Sequence, residues 1–434
     1  MRPQVCLVAT HDDGLGGFVI GARLVWALLR LAEKDGAGNL RPVFLCRKDL
    51  SHLREAHLDR FDSPVGLIAV DNLLVLPKDR RRGEVAPAGL PPLLEALARG
   101  VDTWAGRIAW DRAAWVSRRG AAAGEPPVDL RDVRLCISVG VPYLHAFAKR
   151  LGVPSVEVGD WSVSTVMRGC LEDAGLRGPE HDGPLARLAE CERLAAEVWL
   201  LPYAAPVEEY RRHYAAGGKT VSVVDGVFGL GARPGWDLPE DAAARAGAIR
   251  RELLEARPNN GLVWGVHAGG SGVWTGLLEA LEGRPPGDAS QPLLVTVTPG
   301  TGAVRLLEAL RPPRTWRLPA GMPSPLGWYR NEDICITRGG MTALDHVAVR
   351  CPLAVVEEPN HWLGRMQRRQ LVEAGLGVPV SRDDLRGAPG RAAAEIGRWF
   401  RDGQAEEVKR RMHEVPVDGH EKLAAHVYEK FLRA

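Results

Sequence analysis

Apolar runs of strand length and stretches with helical apolar spacing alternate along the whole chain. Residues 5–10 form the first run, and from 19 to 31 apolar positions recur on one helical face, with Gly14, Gly16 and Gly17 in the turn between. Strand-length runs follow at 43–46, 65–70 and 73–76, then at 134–139, 154–158, 198–201 and 221–223, with helical stretches at 143–150 and 185–196. From 226 to 240 the composition turns to Gly and Pro without periodicity, as in an interdomain linker. The alternation then restarts. It predicts a helix at 242–256, a strand at 262–267, a glycine-rich turn at 268–272 into a helix at 274–281, and a strand at 293–298 ending in PGTG. Strands at 334–336 and 353–356 and helices over 392–433 complete it. Such a pattern implies parallel sheets covered on both faces. The expected class is α/β, with two Rossmann-like domains facing across a cleft. Their expected bounds are 1–225 and 242–404, with a linker at 226–241 and further helices over 405–434.

Composition narrows the function classes. At 434 residues the chain exceeds one core and suits two domains of about 200 residues each. A net charge of +2 speaks against a nucleic-acid groove or an anionic membrane surface. Neither a leader pattern nor an apolar run near the ~18 residues of a membrane span is present, so a cytoplasmic chain without integral membrane association is expected. The seven cysteines, at 6, 46, 136, 170, 191, 335 and 351, show neither a disulfide framework nor zinc spacing; several lie in apolar runs as small core residues.

The densest chemistry lies in 333–375, DICITRGGMTALDHVAVRCPLAVVEEPNHWLGRMQRRQLVEAG. A strand there ends in a turn of Arg338, Gly339 and Gly340, followed by a helix bearing Asp345, a second strand, and a polar loop from Glu357 to Trp362. In an open α/β sheet, anionic ligands bind at the carboxyl ends of strands, where helix N-termini present unpaired N–H groups, so this stretch reads as a nucleotide pocket. The N-terminal elbow, HDDGLGG, does not have the dinucleotide-binding glycine spacing. Its adjacent carboxylates read as helix-capping groups before they read as a metal site. Asp160, Trp161, Ser162 and Ser164 fall at a strand's carboxyl end beside that elbow. Trp104, Trp110 and Trp115 either pack as core or contact a hydrophobic ligand, and aromatic burial favours core. The basic run 78–82 reads as a solvated loop.

With these segments in hand, the second half resembles the C-terminal domain of GT-B glycosyltransferases, most closely the MurG-like group with the family 28 type of C-terminal domain. The likeness is carried by VHAGGSG at 266–272, DICITRGGMTALDH at 333–346, CPLAVVEEP at 351–359 and MQRRQLVEAG at 366–375, in the order and approximate spacing of that group. The resemblance implies a nucleoside-diphosphate sugar, by default a UDP-sugar, as co-substrate, with neither a resident cofactor nor a metal. It places Gly269, Gly270 and Ser271, and then Gly339, Gly340 and Thr342, against the donor diphosphate, with Arg338 neutralising the leaving group. Asp345 stands where the group carries a ribose-binding carboxylate, usually Glu. Glu357, Glu358, Asn360 and His361 stand in the loop that contacts the transferred sugar, and Gln367 near the group's Gln or Asn; the resemblance also implies that the helices over 405–434 return toward the first domain.

Catalysis by inversion requires a base for the acceptor hydroxyl. The group carries His directly after the N-terminal glycine pair; here Gly16 and Gly17 are followed by Phe18. The base is therefore expected at His11 or Asp13, with His11 preferred because imidazole titrates near neutral pH. The acceptor class stays open between a small molecule, a glycan and a protein, a soluble acceptor being favoured. Two alternatives share the architecture: a nucleotide-sugar hydrolase or epimerase, and a nucleotide-binding protein that has lost catalysis. No DSGG or ERPE-like segment supports the epimerase.

Overall fold

The opening apolar run forms β1 (Gln4–Thr10), and the glycine elbow releases it into α1 (Gly16–Lys34). Both belong to the first of two units into which the computed structural model divides, built from Met1–Pro77, Ala86–Phe228 and Asp418–Ala434. The structure describes residues 3–13, 16–36, 39–47, 61–79, 85–117, 120–121, 127–229, 248, 251, 262–267, 292–297, 315–317, 329–357 and 360–433. The first unit continues through β2 (Leu40–Cys46), β3 (Val65–Ala69), α2 (Leu90–Thr103), β4 (Ala114–Ser117), β5 (Gly120–Ala121) and β6 (Val133–Val139). Then come α3 (Pro142–Leu151), β7 (Ser155–Gly159), α4 (Val163–Asp173), α5 (Asp182–Glu192), β8 (Glu197–Leu200), α6 (Val207–Ala215) and β9 (Val221–Val223). The strands form one nine-stranded sheet in the order β5-β4-β3-β2-β1-β6-β7-β8-β9. All neighbours are parallel except at the β4 and β5 edge. The strand order reverses between β1 and β6, which makes the carboxyl ends of these two strands the switch point at which such sheets bind ligands.

The second unit comprises Lys78–Val85 and Gly229–Val417. Its elements are β10 (Leu262–His267), β11 (Pro292–Val297), β12 (Thr315–Arg317), β13 (Ile334–Thr337), α7 (Gly340–Val349), β14 (Leu353–Val356) and α8 (Trp362–Glu373). They are followed by β15 (Gly377–Val380), α9 (Arg382–Gly387), α10 (Pro389–Arg401) and α11 (Gln404–His413). The six-stranded sheet runs β12-β11-β10-β13-β14-β15, parallel throughout, and its order reverses between β10 and β13. Strands β13 and β14 are buried at every position, as expected of a sheet covered on both faces. At the end of α7, Arg350 adopts a left-handed conformation with φ 65°. Its guanidinium donates to the carbonyls of Met412 and, at 3.0 Å, Val415, tying the helix to the last turn of α11 and the chain just after it.

The last helix, α12 (Gly419–Phe431), belongs to the first unit. Phe228 and Asp418 pair in an antiparallel bridge, and the Gly419 N–H donates to the Val227 carbonyl at 3.1 Å. Leu423, Ala424, Val427 and Tyr428 are buried on the side of α12 that packs against α1. Arg23 of α1 is buried and donates to the Phe228 carbonyl at 2.5 Å.

One local reading changes, and the tryptophans follow the favoured one. The run 73–76 is not a strand, because Leu73 has φ 63° and Leu74 and Leu76 are buried without ladder pairing; the Leu74 carbonyl instead accepts from the Asp12 N–H at 3.1 Å. The tryptophans pack as core. Trp104 donates from Nε1 to Asn72 at 3.1 Å, Trp110 stacks on Phe147 at 5.4 Å, and Trp115 lies over Gly66. The expected helix at 274–281 and the PGTG turn lie outside the described residues, as does the expected helix at 242–256 except for residues 248 and 251. Among the described residues, no helix is long and apolar enough to cross a membrane.

Candidate active site

At the switch point of the first unit, His11 follows β1 and Gly140 follows β6. The imidazole is 3% exposed, and its space exists because two neighbours lack side chains. A Cβ on Gly17 would lie 2.7 Å from Nε2, and one on Gly140, where φ is 68°, would lie 3.2 Å from Cδ2. Trp161, just beyond β7, packs on the same ring at 5.0 Å between centroids. Glu157 holds the Gly140 turn: one carboxylate oxygen accepts the Gly140 N–H at 2.8 Å and the other lies 2.7 Å from Nε2 of His145, whose Nδ1 is 2.9 Å from the Ser155 hydroxyl. Burial raises the Glu157 pKa, with the His145 contact pulling the other way. A fixed imidazole at a strand end can take a proton from a ligand hydroxyl without first being reorganised.

The rest of the elbow divides into support and rim. Asp12 is buried and accepts the Asn72 N–H at 2.8 Å, while the Asn72 amide donates to the carbonyls of Thr10 at 2.6 Å and Leu45 at 3.0 Å. Asn72 thereby joins the ends of β1 and β2 and, through Trp104 and the Tyr143 hydroxyl, α2 and α3. Asp13 and Gly16 are partly exposed, and Gly17 is buried against His11. Phe18 points away: it has no exposed surface and packs on Phe44 at 5.2 Å. Ser162 and Ser164 serve a buried carboxylate, donating to Glu192 at 3.1 and 2.5 Å, with His213 Nε2 2.8 Å from the same oxygen.

In the second unit, β13 ends at Thr337 and the chain turns through Arg338, Gly339 with φ 107° and Gly340 with φ 70° into α7. Those two φ values require glycine, and the turn presents the N-terminus of a ten-residue helix at the β10/β13 switch point. Gln367, 4% exposed, backs the turn from α8; a Cβ on Gly339 would stand 3.2 Å from its Cβ and Oε1. The structure thus brings Arg338, Gly339, Gly340, Thr342 and Gln367 into one neighbourhood. Asp345 lies further along α7, 7% exposed. His361 caps α8, its Nδ1 accepting the Gly364 N–H at 2.9 Å, beside Asn360 in a left-handed conformation with φ 57°. Glu357 is 3.4 Å from Arg368. Gly269, Gly270, Ser271 and Glu358 lie outside the described residues.

One buried network was not anticipated from the sequence. Glu332, just before β13, places its carboxylate 2.9 Å from His267 Nε2 and 2.9 Å from His346 Nε2. Tyr329 covers both imidazoles, at 4.7 and 3.9 Å between centroids. Burial alone would raise the Glu332 pKa, but the two imidazoles outweigh it and hold the carboxyl down at about 2; burial pushes His267 down. The available sequence signal was Gly265, a lone glycine inside the apolar strand LVWGVH: a Cβ there would overlap the Glu332 carboxylate.

No family profile and no curated protein sequence matches the chain. In fold it is similar to the calicheamicin glycosyltransferase CalG4, at 16% identity and a TM-score of 0.56 over 99% of this chain and 98% of that one. It is also similar to a kitacinnamycin glycosyltransferase, at 12% identity and a TM-score of 0.55 over 99% and 100%. A third likeness is to UGT2 of Phytolacca americana, solved with UDP-2-fluoro-glucose and pterostilbene, at 13% identity and a TM-score of 0.54 over 99% and 100%. These are GT-B glycosyltransferases, and the chain has their α/β fold of two Rossmann-like domains.

Proposed function

We propose that this chain is an inverting glycosyltransferase that moves a hexosyl or N-acetylhexosaminyl group from a nucleoside-diphosphate sugar, by default a UDP-sugar, to a hydroxyl of a soluble small-molecule acceptor. The observation that carries this reading is the Gly339–Gly340 turn into α7, backed by Gln367 at the switch point of a GT-B second unit. A diphosphate fits such a turn because helix N–H groups and the Arg338 cation offset its charge without a side chain in the way. The motif order shared with the MurG-like group, together with the nucleotide-bound GT-B neighbour, supports the donor class. Asp345 is assigned to the ribose, and Asn360 and His361 to the sugar loop.

In the first unit, His11 is assigned as the base. The acceptor oxygen forms a bond to the anomeric carbon as the bond from that carbon to the β-phosphate oxygen breaks; the imidazole takes the acceptor proton, and the electron pair leaves with the nucleoside diphosphate. Attack on the face opposite the leaving group inverts the configuration. No resident cofactor takes part in this scheme.

A second reading, nucleotide binding without catalysis, draws on Phe18, which fills the position of the MurG-like His and lies in the core; donor hydrolysis is the enzymatic alternative. The test is incubation of the purified chain with a panel of nucleotide sugars, with and without phenolic and glycosidic acceptors. Release of nucleoside diphosphate that depends on acceptor is expected. Release without acceptor would favour the hydrolase, and nucleotide binding with no turnover would sink both enzymatic readings.

A further inference from the structure

We infer that His267, Glu332, Cys335 and His346 form a closed structural zinc site inside the second unit. One ligand atom from each lies within 4.8 Å of all the others. Zinc bonds to nitrogen, oxygen and sulfur are about 2.0–2.3 Å, so the edges of a tetrahedral site are roughly 3.3–3.8 Å. Measured to one carboxylate oxygen, Oε2 of Glu332, His346 Nε2 lies at 2.9 Å and His267 Nε2 at 3.2 Å, already close to such an edge, and the widest pair needs to close by only about 1 Å. A set of two nitrogens, one oxygen and one sulfur suits zinc, and four protein ligands with no open position suit a structural ion.

The surroundings favour a cation. The side chains of Glu332 and His346 have no exposed surface, His267 has 1%, and Cys335 has none. A carboxylate enclosed this way, with two imidazoles and a thiol around it, is costly to bury as an ion, and a cation held among the four offsets that cost. The Nδ1 of His346 lies 2.7 Å from the Thr342 carbonyl, which can only accept. That nitrogen therefore carries the proton, and Nε2 faces Glu332. Anchoring one ring N–H on a carbonyl is how ligating histidines are usually held. Metal entry displaces the Cys335 thiol proton to solvent. The thiolate and carboxylate then balance the dication, leaving the site neutral.

Sequence spacing conceals this set because its members come from β10, the turn before β13, β13 itself and α7. The fold assembles them. Parallel pairing sets Cys335 opposite Gly265, the missing Cβ of Gly265 admits the Glu332 carboxylate, and α7 lays His346 over it. The site departs from the sequence-based expectation of a chain without metal and does not depend on sugar transfer.

The full chain, purified without chelator, is expected to contain one zinc per molecule by elemental analysis. Refolding from denaturant with cobalt(II) should give the visible bands of tetrahedral cobalt together with a thiolate-to-cobalt charge-transfer band, and metal should raise the melting temperature. Cys335→Ser should abolish the charge-transfer band and weaken zinc binding more than about tenfold. If that variant does not fold, the metal content and cobalt spectrum of the unaltered chain decide the matter alone. A chain that refolds in excess zinc or cobalt, retains neither and melts at the same temperature with and without metal would overturn the inference and leave a proton-sharing cluster. A charge-transfer band that persists in Cys335→Ser would overturn it as well, by placing the ion on another thiol.

Discussion

Phe18 occupies the sequence position at which the MurG-like group carries His, yet its ring lies against Phe44 with no exposed surface. Its direction, rather than its place in the sequence, decides its role. Restoring the histidine in Phe18→His would bury a polar ring in the core. It should cost roughly 2–4 kcal/mol in denaturant unfolding and give no gain in turnover in the same sugar-transfer assay. His11→Ala should instead lower turnover by about a hundredfold or more with nucleotide affinity unchanged by calorimetry. Undiminished turnover would move the base to Asp13. His11 stands out in the sequence as a candidate because a histidine just after an apolar strand falls at the end where such sheets bind ligands. The Glu157 and His145 pair behind it does not, since Glu157 in β7 reads as an interior strand residue until β6 delivers the Gly140 N–H to its carboxylate.

Elements that bury both faces write themselves as continuous apolar runs, which is why β1, β6, β13 and β14 were legible in the chain. The antiparallel edge strands β4 and β5 were not, being short and depending for their pairing on β3 more than on pattern. The turn into α7 was legible as two glycines, but the reason for them is tertiary. Gly339→Ala would force φ 107° on a residue with a Cβ and press it against Gln367. Such strain costs about 1–3 kcal/mol. Taken out of the bound geometry of the turn, it should weaken nucleotide binding about tenfold or more by titration calorimetry. In the first unit, Glu192 joins α5 to α4 and α6 through Ser162, Ser164 and His213. Burial would raise its pKa, but His213 and Ser164 outweigh burial and bring it below 4.5. The unfolded chain therefore takes up this proton first as the solution is acidified. The stabilisation is complete above pH 4.5 and is lost as pH falls through the depressed folded value. Glu192→Gln should be roughly 3 kcal/mol less stable at neutral pH and lose less on acidification, read from melting temperatures across pH 2–6.

At the scale of the molecule, the chain leaves the first unit after Phe228 and re-enters at Asp418, and these two residues are paired across an antiparallel bridge. Apart from the short segment Lys78–Val85, the second unit is thus an insertion between two adjacent positions of the first, with α12 completing the first unit's helical layer against α1. An insertion whose ends are adjacent can be removed at little entropic cost, because a short turn closes the same gap. Joining Phe228 to Asp418 through a two-residue turn, with residues 229–417 deleted, should give a protein that melts cooperatively but has lost nucleotide binding. Truncation after Val417 should have the opposite effect on the first unit. It removes Leu423, Val427 and Tyr428 from the face of α1 and frees the Arg23 and Phe228 region they cover, so the first unit should no longer unfold cooperatively in calorimetry. A first unit that melts unchanged without α12 would show that α1 carries its own core and that the return of the chain is dispensable.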